Sequence, residues 1–479
     1  MKKIFSILLI SAFVFASCED FLDEPPSKAS QQEILTTKDI DLLLNNTDYD
    51  ATIIQDVRCD YLSDDFNYHL NVYDALGGWI SYAQVQDFAW QDKLSSVEDR
   101  NWNDAFNSIW QSNFIIANVH DLEGSLEDKD NLKAEAHLIK ANKYLALSIK
   151  YCLYPNASNA GEMGLPIKNS TAFGEQTVRA SLAETFQQIE ADLSEGLKIE
   201  TEKVNTIRES QASAAALAAR YYLYMHDFVN AKKYAADALS MHSEMVNMET
   251  EVQIIPVGEY EVPSTSFLRS YAPAFYEGWK SQYKIFHHGD WAYVPSKDLL
   301  AAYEPEDMRL YFYTQDYLGG WFGMTENNEL YKKFGGNVMT GTDAAEMYLI
   351  LAECEARDGN YAACMEHVEM VRINRFRAAE YSELATPTTI KEAVQLVADE
   401  RRRELPFTSS RWSDLKRLNA EGLIDPITLT RTFYELGETS VDYSSIVNYT
   451  LEPNSRKYAR PLPQEVIKLT EGSVKQNTY

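Results

Sequence analysis

Four aromatic side chains stand out because amide and carboxylate groups lie close to them in the sequence. They are Trp79, Tyr82, Trp291 and Trp321, and their polar neighbours are Gln84, Gln86, Asp290, Gln315, Asp316, Asn327 and Asn328. The axial C–H face of a sugar ring packs on an aromatic ring, while the sugar hydroxyls bond to Asn, Asp, Gln and Arg side chains. A single ring is more often part of a core, but we expect at least two Trp or Tyr rings to reach a surface pocket.

Residues that support catalysis or hold a metal ion are sparse. The sequence has no GxSxG, HExxH or P-loop pattern, and Gly319–Gly323 lacks the strand-to-helix context of a dinucleotide site. His287 and His288 with Asp290 offer metal ligands, but adjacent side chains in an extended segment point to opposite faces. Ser63–Asn67 groups carboxylate and amide oxygens, and we expect a solvated turn there rather than a calcium site. No cofactor is expected.

Cys18 lies where a lipid is attached in bacterial lipoproteins. Lys2 and Lys3 precede the apolar run Ile4–Phe15, and Ala16-Ser17 come directly before Cys18, which is the layout of a secretory signal. The apolar run is too short to span a bilayer. The sequence Phe15-Ala16-Ser17-Cys18 resembles a bacterial lipobox. We predict removal of residues 1–17 and acylation of Cys18; an ordinary signal peptide that happens to contain Cys is the alternative.

The other cysteines are Cys59, Cys152, Cys354 and Cys364, and their spacing fits neither a CxxC motif nor a zinc finger. Cys354 and Cys364 fall in one predicted helix pair and are able to approach each other. Buried free thiols are the expected state, and no part of the fold requires a disulfide.

The composition indicates a folded protein that does not bind nucleic acid. The chain has 479 residues, of which 45% are hydrophobic and 24% are charged. A net charge of -28 repels a phosphate backbone over most of the surface. The aromatic residues comprise 30 Tyr, 20 Phe and 8 Trp, and tyrosine tolerates water, so this content favours a surface that contacts ligands through ring faces.

Helical periodicity defines the scaffold that must position these rings. Residues 211–240 and 344–372 each read as two helices, broken near His226-Asp227 and near Gly359-Asn360. A shift of 133 positions superposes the two segments, with small residues at the helix crossing and an aromatic residue after the turn, which is the tetratricopeptide layout. Because such a pair cannot bury its apolar face alone, neighbouring pairs must stack. The expected pairs are 102–122 with 132–152, 181–197 with 210–225, 228–241 with 343–358, and 361–375 with 390–404.

Irregular segments interrupt this array. Between Phe267 and Phe334 lie 18 of the 58 aromatic residues, among Gly and Pro residues and alternating patterns typical of loops and short strands. We therefore predict a mainly α fold, with a tetratricopeptide-like helical-repeat scaffold and a large irregular, loop-rich subdomain. The predicted divisions are a signal peptide at 1–17, a lipid-anchored tether at 18–30, an N-terminal helical region at 31–240, and a C-terminal region at 241–479 that carries an aromatic-rich insertion at 245–342.

Several short motifs together resemble the SusD/RagB family, the surface glycan-binding lipoproteins of Bacteroidetes. In chain order they are Cys18–Asp23, Gly164–Pro166, Ile189–Leu193, Glu400–Leu405, Arg411–Arg417 and Tyr458–Ile467. The resemblance covers essentially the whole chain and is strongest near its end. Pro406 and Thr408-Ser409 depart from the Phe-Glu-Gly sequence that usually leads to the Arg-Trp pair in this family.

The resemblance implies a mostly helical body with four tetratricopeptide-like units and a ligand site carried by loops. It implies a cell-surface protein, anchored by lipid in the outer membrane, that catches oligosaccharides and delivers them to a SusC-like TonB-dependent transporter. The Arg-Trp-Asp motif looks structural, because Arg411 and Asp414 are spaced to pair and Trp412 suits a core. Binding residues of the family lie in variable loops, so the four candidate rings rest on local chemistry.

Two other functions remain open from the sequence. One is a tetratricopeptide-type surface adaptor that binds a protein or peptide along its concave face. The other is a secreted hydrolase, whose carboxylate pair the sequence cannot select from 72 acidic residues. We expect no catalysis. Capture of an oligosaccharide predicts affinity that falls when a stacking Trp is replaced by Ala, which the adaptor does not predict. The hydrolase instead requires that reducing ends appear on incubation with a polysaccharide.

Overall fold

The computed structural model describes most of the helical body. Described with side chains are residues 34–46, 57–76, 78, 80–95, 99–172, 174, 177–203, 205–251, 294–310 and 340–479, except for residues 60 and 75–76, where the backbone alone is described. Described as backbone only are also residues 254–257, 260–263, 283–284, 314–315, 325–326, 329–330, 333–334 and 338–339. The predicted signal peptide, the tether and Cys18 lie outside these ranges, as do Trp79, Trp291, Trp321 and His287-His288.

Fifteen α-helices form the larger share of the regular structure in the described chain. They are α1 Thr37–Leu44, α2 Leu70–Leu76, α3 Tyr82–Phe88, α4 Arg100–Asn118, α5 Leu126–Tyr151, α6 Leu182–Gly196, α7 Gln211–Tyr224, α8 Phe228–Met241, α9 Met248–Glu251, α10 Lys297–Ala301, α11 Ala344–Arg357, α12 Tyr361–Arg372, α13 Ile390–Glu404, α14 Ser410–Glu421 and α15 Gln464–Leu469. The mainly α fold class is confirmed. Among the described residues, no helix is both long and apolar enough to cross a membrane.

The strands form antiparallel pairs, most of them only two to four residues long. They are β1 Phe66–Asn67, β2 Met163–Pro166, β3 Arg179–Ser181, β4 Ile254–Val257, β5 Tyr260–Pro263, β6 Tyr283–Lys284, β7 Val294–Pro295, β8 Thr314–Gln315, β9 Thr325–Glu326, β10 Glu329–Leu330, β11 Lys333–Phe334, β12 Val338–Met339, β13 Leu429–Leu436 and β14 Val441–Leu451. Strands β4 to β12 fall in the predicted insertion, where loops and short strands were expected. The long hairpin of β13 and β14 was not anticipated.

Two helical hairpins confirm the repeat. Helix α7 packs on α8, and α11 packs on α12, with breaks at the two predicted positions. The crossing of α7 and α8 is close because alanines such as Ala216, Ala219, Ala231 and Ala235 meet there, all of them buried. Gly359 adopts a φ of +77° in the second turn, a left-handed conformation that glycine reaches without a Cβ penalty.

The expected order of pairing was right only in part. Helix α4 packs on α5, and α8 packs on α11, as predicted. However, α6 lies mainly against α5 rather than α7, and α13 lies mainly against α11 rather than α12. The helices therefore stack as a continuous array in which one helix serves two neighbours, and sequence periodicity gives the faces of helices but not their partners.

Local sequence sets the helix boundaries. Ser181 begins α6 with a reciprocal capping box, in which its hydroxyl accepts from the Glu184 N–H and the Glu184 carboxylate accepts from the Ser181 N–H. Strand β2 packs closely against the start of α6. Gly164 of β2 fits there only because it lacks a side chain, since a Cβ would lie 2.0 Å from the Thr185 hydroxyl. This explains the glycine of the Gly164–Pro166 motif as a close approach of strand and helix.

A buried ion-pair network joins α13 and α14 to the rest of the molecule, and we call it the arginine network. It contains Arg309, Arg372, Arg375, Arg401, Arg402, Arg403, Arg411 and Arg417, paired with Asp64, Asp65, Asp307, Glu304, Glu353, Glu400, Glu404 and Asp414. The three consecutive arginines of α13 face different elements. Arg401 pairs with Asp414 of α14, Arg402 with Asp65, and Arg403 donates to the Ala302 carbonyl after α10.

The predicted pairing of Arg411 with Asp414 is wrong. The Arg411 guanidinium binds Asp64 with two hydrogen bonds of 2.7 Å, and Asp414 pairs with Arg401 and Arg417 instead. Both residues lie on α14, but a carboxylate brought from far along the chain gives Arg411 the better bidentate geometry. Trp412 is fully buried and stacks obliquely on Tyr458, so its predicted place in the core is confirmed.

Candidate functional site

The turn after the 3₁₀ helix Asp60–Leu62 anchors a cavity wall to the arginine network. Asp64 accepts from Arg411, and Asp65 accepts from Arg402 and from the backbone N–H of Phe407. Burial alone raises the pKa of the Asp64 carboxyl, but the Arg411 and Arg402 charges outweigh it and leave the pKa well below its usual range. Asp64 is therefore a fixed anion at neutral pH.

This arrangement corrects the interpretation of Ser63–Asn67 as a solvated turn or calcium site. Asp65 is fully buried, and the guanidinium groups occupy the positions where a cation would bind. Nor does the described part of the chain contain a cluster of His, Cys, Asp and Glu suited to a metal ion. The turn holds the following strand, β1, against β7, since the Ser296 hydroxyl donates to the Asp64 carbonyl at 2.6 Å.

A cavity of about 530 Å³ opens beside this turn. That volume lies within the range of small-molecule sites. Its walls combine aromatic rings with amide, hydroxyl and charged groups from four segments. The lining residues are Asp64, Phe66, Asn67, Tyr68, His69, Leu70, Asn71, Trp90, Ser296, Lys297, Asp298, Leu429, Thr430, Arg431 and Thr432.

Two polar residues of the cavity wall stand out. The Asn67 Oδ1 atom is buried and accepts no hydrogen bond from any described residue. A buried acceptor without a donor costs about 1–3 kcal/mol. Arg431 is held behind the wall by the Tyr61 and Ser63 carbonyls and lies 4.3 Å from the Trp90 ring centroid, so it stiffens this side of the cavity.

A cluster of five tyrosines lies close to the cavity, and we call it the tyrosine cluster. Its members are Tyr73, Tyr82, Tyr434, Tyr443 and Tyr449. The Tyr82 hydroxyl donates to the Gly437 carbonyl at 2.5 Å, and the Tyr434 hydroxyl donates to the Asp74 carboxylate at 2.9 Å. The Tyr443 ring stacks on Tyr73 at a centroid distance of 6.3 Å and an angle of 28°, and 60% of Tyr443 is exposed.

Four members of this cluster hold their protons more tightly than a free tyrosine. Burial raises the pKa of Tyr73, and the neighbouring Tyr443 raises it further. Burial likewise raises the pKa of Tyr82, of Tyr434 and of Tyr449. These four residues therefore present neutral rings and hydroxyl donors across the ordinary pH range.

Of the four candidate rings, Tyr82 alone falls among the described residues. It is half-buried at the start of α3, within the tyrosine cluster. Trp79, Trp291 and Trp321 remain predictions. Two of the polar neighbours proposed from the sequence have local roles instead: the side-chain carbonyl oxygen of Gln84 accepts from the Ser81 N–H, and that of Gln86 accepts from the Ser95 N–H.

Sequence reasoning missed Asn67 as an acceptor and Tyr443 as an exposed ring. Asn67 was considered only as a cation ligand. Tyr443 follows the hairpin turn, in a run of exposed residues at the start of β14. A tyrosine among polar residues can indicate an exposed ring, but this interpretation of Tyr443 also requires the long hairpin, which the sequence did not predict.

The four remaining cysteines are free and buried, as expected. They are Cys59, Cys152, Cys354 and Cys364. Burial raises the pKa of Cys354 and of Cys364 to about 12, so neither thiol ionises readily.

The helical hairpins and the motifs together define a helical-repeat protein, and two family models identify it further. A model described as "Starch-binding associating with outer membrane" matches residues 20–223, and the model of the SusD family matches residues 344–479. The chain belongs to the SusD/RagB family. A search of curated proteins found no match.

Solved structures share the fold at low sequence identity. A SusD superfamily protein from Bacteroides thetaiotaomicron has a TM-score of 0.64 at 17% identity, with 93% of this chain and 100% of that chain covered. A putative sugar-binding protein from Bacteroides vulgatus has a TM-score of 0.63 at 16% identity, covering 93% and 99%. A SusD-like carbohydrate-binding protein from the same species has a TM-score of 0.60 at 14% identity, covering 92% and 98%.

Proposed function

We propose that this chain is a cell-surface glycan-binding lipoprotein without catalytic activity. The observation that carries the proposal is the tyrosine cluster beside a ligand-sized cavity, in a member of a family described as starch-binding. Flat rings and a cavity lined by amides and hydroxyls match the two faces of a sugar, its C–H surface and its hydroxyl edge. Tyr82 belongs to this site, and Trp79, Trp291 and Trp321 are assigned to it from the sequence.

Binding is tested with the lipid-free chain that lacks residues 1–18. On a glycan array we expect one group of soluble oligosaccharides to bind, and Trp79→Ala, Trp291→Ala, Trp321→Ala or Tyr82→Ala to weaken it about tenfold. Trp110→Ala is the matched control, because that ring is partly exposed on α4, away from the cavity lining. Binding of peptides but no glycan supports the adaptor. Release of reducing ends from a polysaccharide supports the hydrolase.

We further propose that the protein is anchored in the outer membrane through lipid on Cys18 and passes oligosaccharides to a SusC-like TonB-dependent transporter. Family membership supports both parts of this proposal. The transporter is expected to co-purify with the chain from detergent-extracted outer membranes. A Cys18→Ala variant is expected to lose acyl labelling and to slow uptake of a fluorescent oligosaccharide. Normal uptake by cells that lack the chain contradicts the delivery role.

A further inference from the structure

The exposed ring of Tyr443 is placed by an irregularity in the β13–β14 hairpin. Residues Asp442 and Ile446 of β14 face Glu435 and Tyr434 of β13, so residues 443–445 have no partner on the opposite strand. Such a bulge turns a side chain out of the regular alternation. The Asp442 carboxylate fixes the bulge by accepting from the backbone N–H and the hydroxyl of Ser444.

The Tyr443 ring contacts two other tyrosines although most of it is exposed. It is stacked on Tyr73 and lies tilted by 52° against Tyr434 at a centroid distance of 5.0 Å. Tyr434 is in turn fixed by its hydrogen bond to Asp74. A ring with few conformations left to lose is a good stacking surface, because binding then orders little additional chain.

Helix α2 connects this ring to the cavity. Asn71, at the start of α2, lines the cavity together with Thr432, whereas Tyr73 belongs to the tyrosine cluster and Asp74 accepts from its member Tyr434. Three residues of helix span about 5 Å, and the two residues from Thr432 to Tyr434 span about 7 Å of strand. The rim of the cavity and the tyrosine cluster are therefore neighbours on one side of the hairpin.

We propose that Tyr443 is a stacking residue for an oligosaccharide whose end occupies the cavity, so that affinity increases with chain length. The inference rests on the proposed function and adds the second point of contact. A disaccharide fills the cavity alone, and a longer chain gains the stacking contact as well. Two contacts made by one ligand combine, because the second forms within the complex already held by the first.

The test uses size-fractionated oligosaccharides from partial acid hydrolysis of starch, xylan, mannan and pectin, with affinities measured by calorimetry on the lipid-free chain. We expect longer oligosaccharides of the recognised type to bind more tightly than disaccharides. Tyr443→Ala is expected to weaken the longer chains about three- to tenfold and disaccharides less than about twofold. Tyr443→Phe keeps the ring and is expected to restore the affinity. Tyr479→Ala, which removes another partly exposed ring, is the control.

The outcomes separate the inference from the function it extends. If the wild-type chain binds oligosaccharides and Tyr443→Ala binds every length equally well, the stacking role is wrong and glycan capture stands. Equal losses for disaccharides and long chains also contradict the inference, because they indicate damage to the cavity. If the wild-type chain binds none of the four series or the array, both proposals fall.

Discussion

The arginine network and the cavity with its tyrosine cluster are neighbours, yet they use polar groups in opposite ways. In the network, guanidinium and carboxylate groups lie in direct contact away from water, as where Arg417 binds Glu353 at 2.6 and 2.7 Å. Around the cavity, the Asn67 acceptor has no described donor and the Tyr443 ring faces solvent. The two regions therefore differ in how charge and exposure are arranged. The network joins charged groups to one another in the interior, although Arg372 Nε and Arg401 Nη1 have no hydrogen-bond partner among the described residues, whereas the tyrosine cluster leaves the Tyr443 ring in solvent.

The largest effect is expected from breaking the network at its centre. Arg417→Ala removes two hydrogen bonds to Glu353 and one to Asp414, and it leaves both carboxylates buried without this partner. We expect the free energy of unfolding in urea to fall by about 3–5 kcal/mol. Lys198→Ala, which breaks an exposed pair with Glu195, is expected to cost less than about 0.5 kcal/mol. If Arg417→Ala and Lys198→Ala lose similar free energies of unfolding, the buried network is no more important to stability than an exposed ion pair.

Acid is expected to weaken the network before it affects the tyrosine cluster. Burial raises the pKa of Glu353, but the Arg417 and Arg357 charges bring it well below its usual value, and Glu400 behaves likewise beside Arg309. A carboxyl whose pKa is depressed by folding contributes stability that is complete above its unfolded pKa and is lost as the pH falls. Each such carboxyl is expected to lose about 1.5 kcal/mol between pH 5 and pH 3.

The pH effect is measured by urea unfolding of the wild type and Glu353→Gln at pH 7, 5 and 3. The variant starts from a lower stability at pH 7. From pH 5 to pH 3 it is expected to lose about 1.5 kcal/mol less than the wild type, because one titrating group is gone. If the wild type and Glu353→Gln lose the same free energy of unfolding from pH 5 to pH 3, the ion pairs do not lower the pKa of Glu353 and the prediction is wrong.

Two asparagines sharpen the comparison on a smaller scale. The Asn419 side chain exchanges two hydrogen bonds with the backbone of Ile427, whereas the Asn67 oxygen accepts none from any described residue. Asn419→Ala is expected to cost about 1–3 kcal/mol of stability, because it leaves partly buried backbone groups unpaired. Asn67→Ala is expected to cost less than about 1 kcal/mol but to weaken oligosaccharide binding. If Asn67→Ala loses more stability than Asn419→Ala, the assignment of Asn419 to the rigid part of the molecule and of Asn67 to the binding part is contradicted.

The smallest change in stability is expected at Tyr443. The ring is exposed over 60% of its surface, so Tyr443→Ala gives up little burial. We expect the midpoint of urea unfolding to move by an amount equivalent to about 0.5 kcal/mol or less. A loss above about 2 kcal/mol identifies Tyr443 as part of the core and removes the basis for its role as a ligand platform.

Sequence reasoning reached the helices because their signal is local. The breaks near His226 and Gly359 follow from residues beside them, and the apolar stripes follow from a period of about 3.6 residues. The partners of α6 and α13 did not follow, because each apolar face fits several neighbours. The same limit explains Arg411, whose partner Asp64 is 347 residues distant in the chain.

The site was harder to predict because exposure depends on tertiary structure. Tyr82 was selected for its polar neighbours, yet Gln84 and Gln86 serve a helix cap and a loop. Tyr443 owes its position to a bulge, which depends on register between two strands and leaves little trace in composition. Residue chemistry therefore favours a class of ligand, whereas the groups proposed to contact that ligand could be selected only from the fold.

The buried thiols offer a practical consequence. In the lipid-free chain, Cys59, Cys152, Cys354 and Cys364 are all enclosed by the folded body, and none is paired in a disulfide. A thiol-specific dye is expected to react with a buried cysteine only when the surrounding helices open locally. The order in which the four cysteines become labelled would therefore record which parts of the array open first. The chain thus carries its own reporters of local opening, which work without any engineered label.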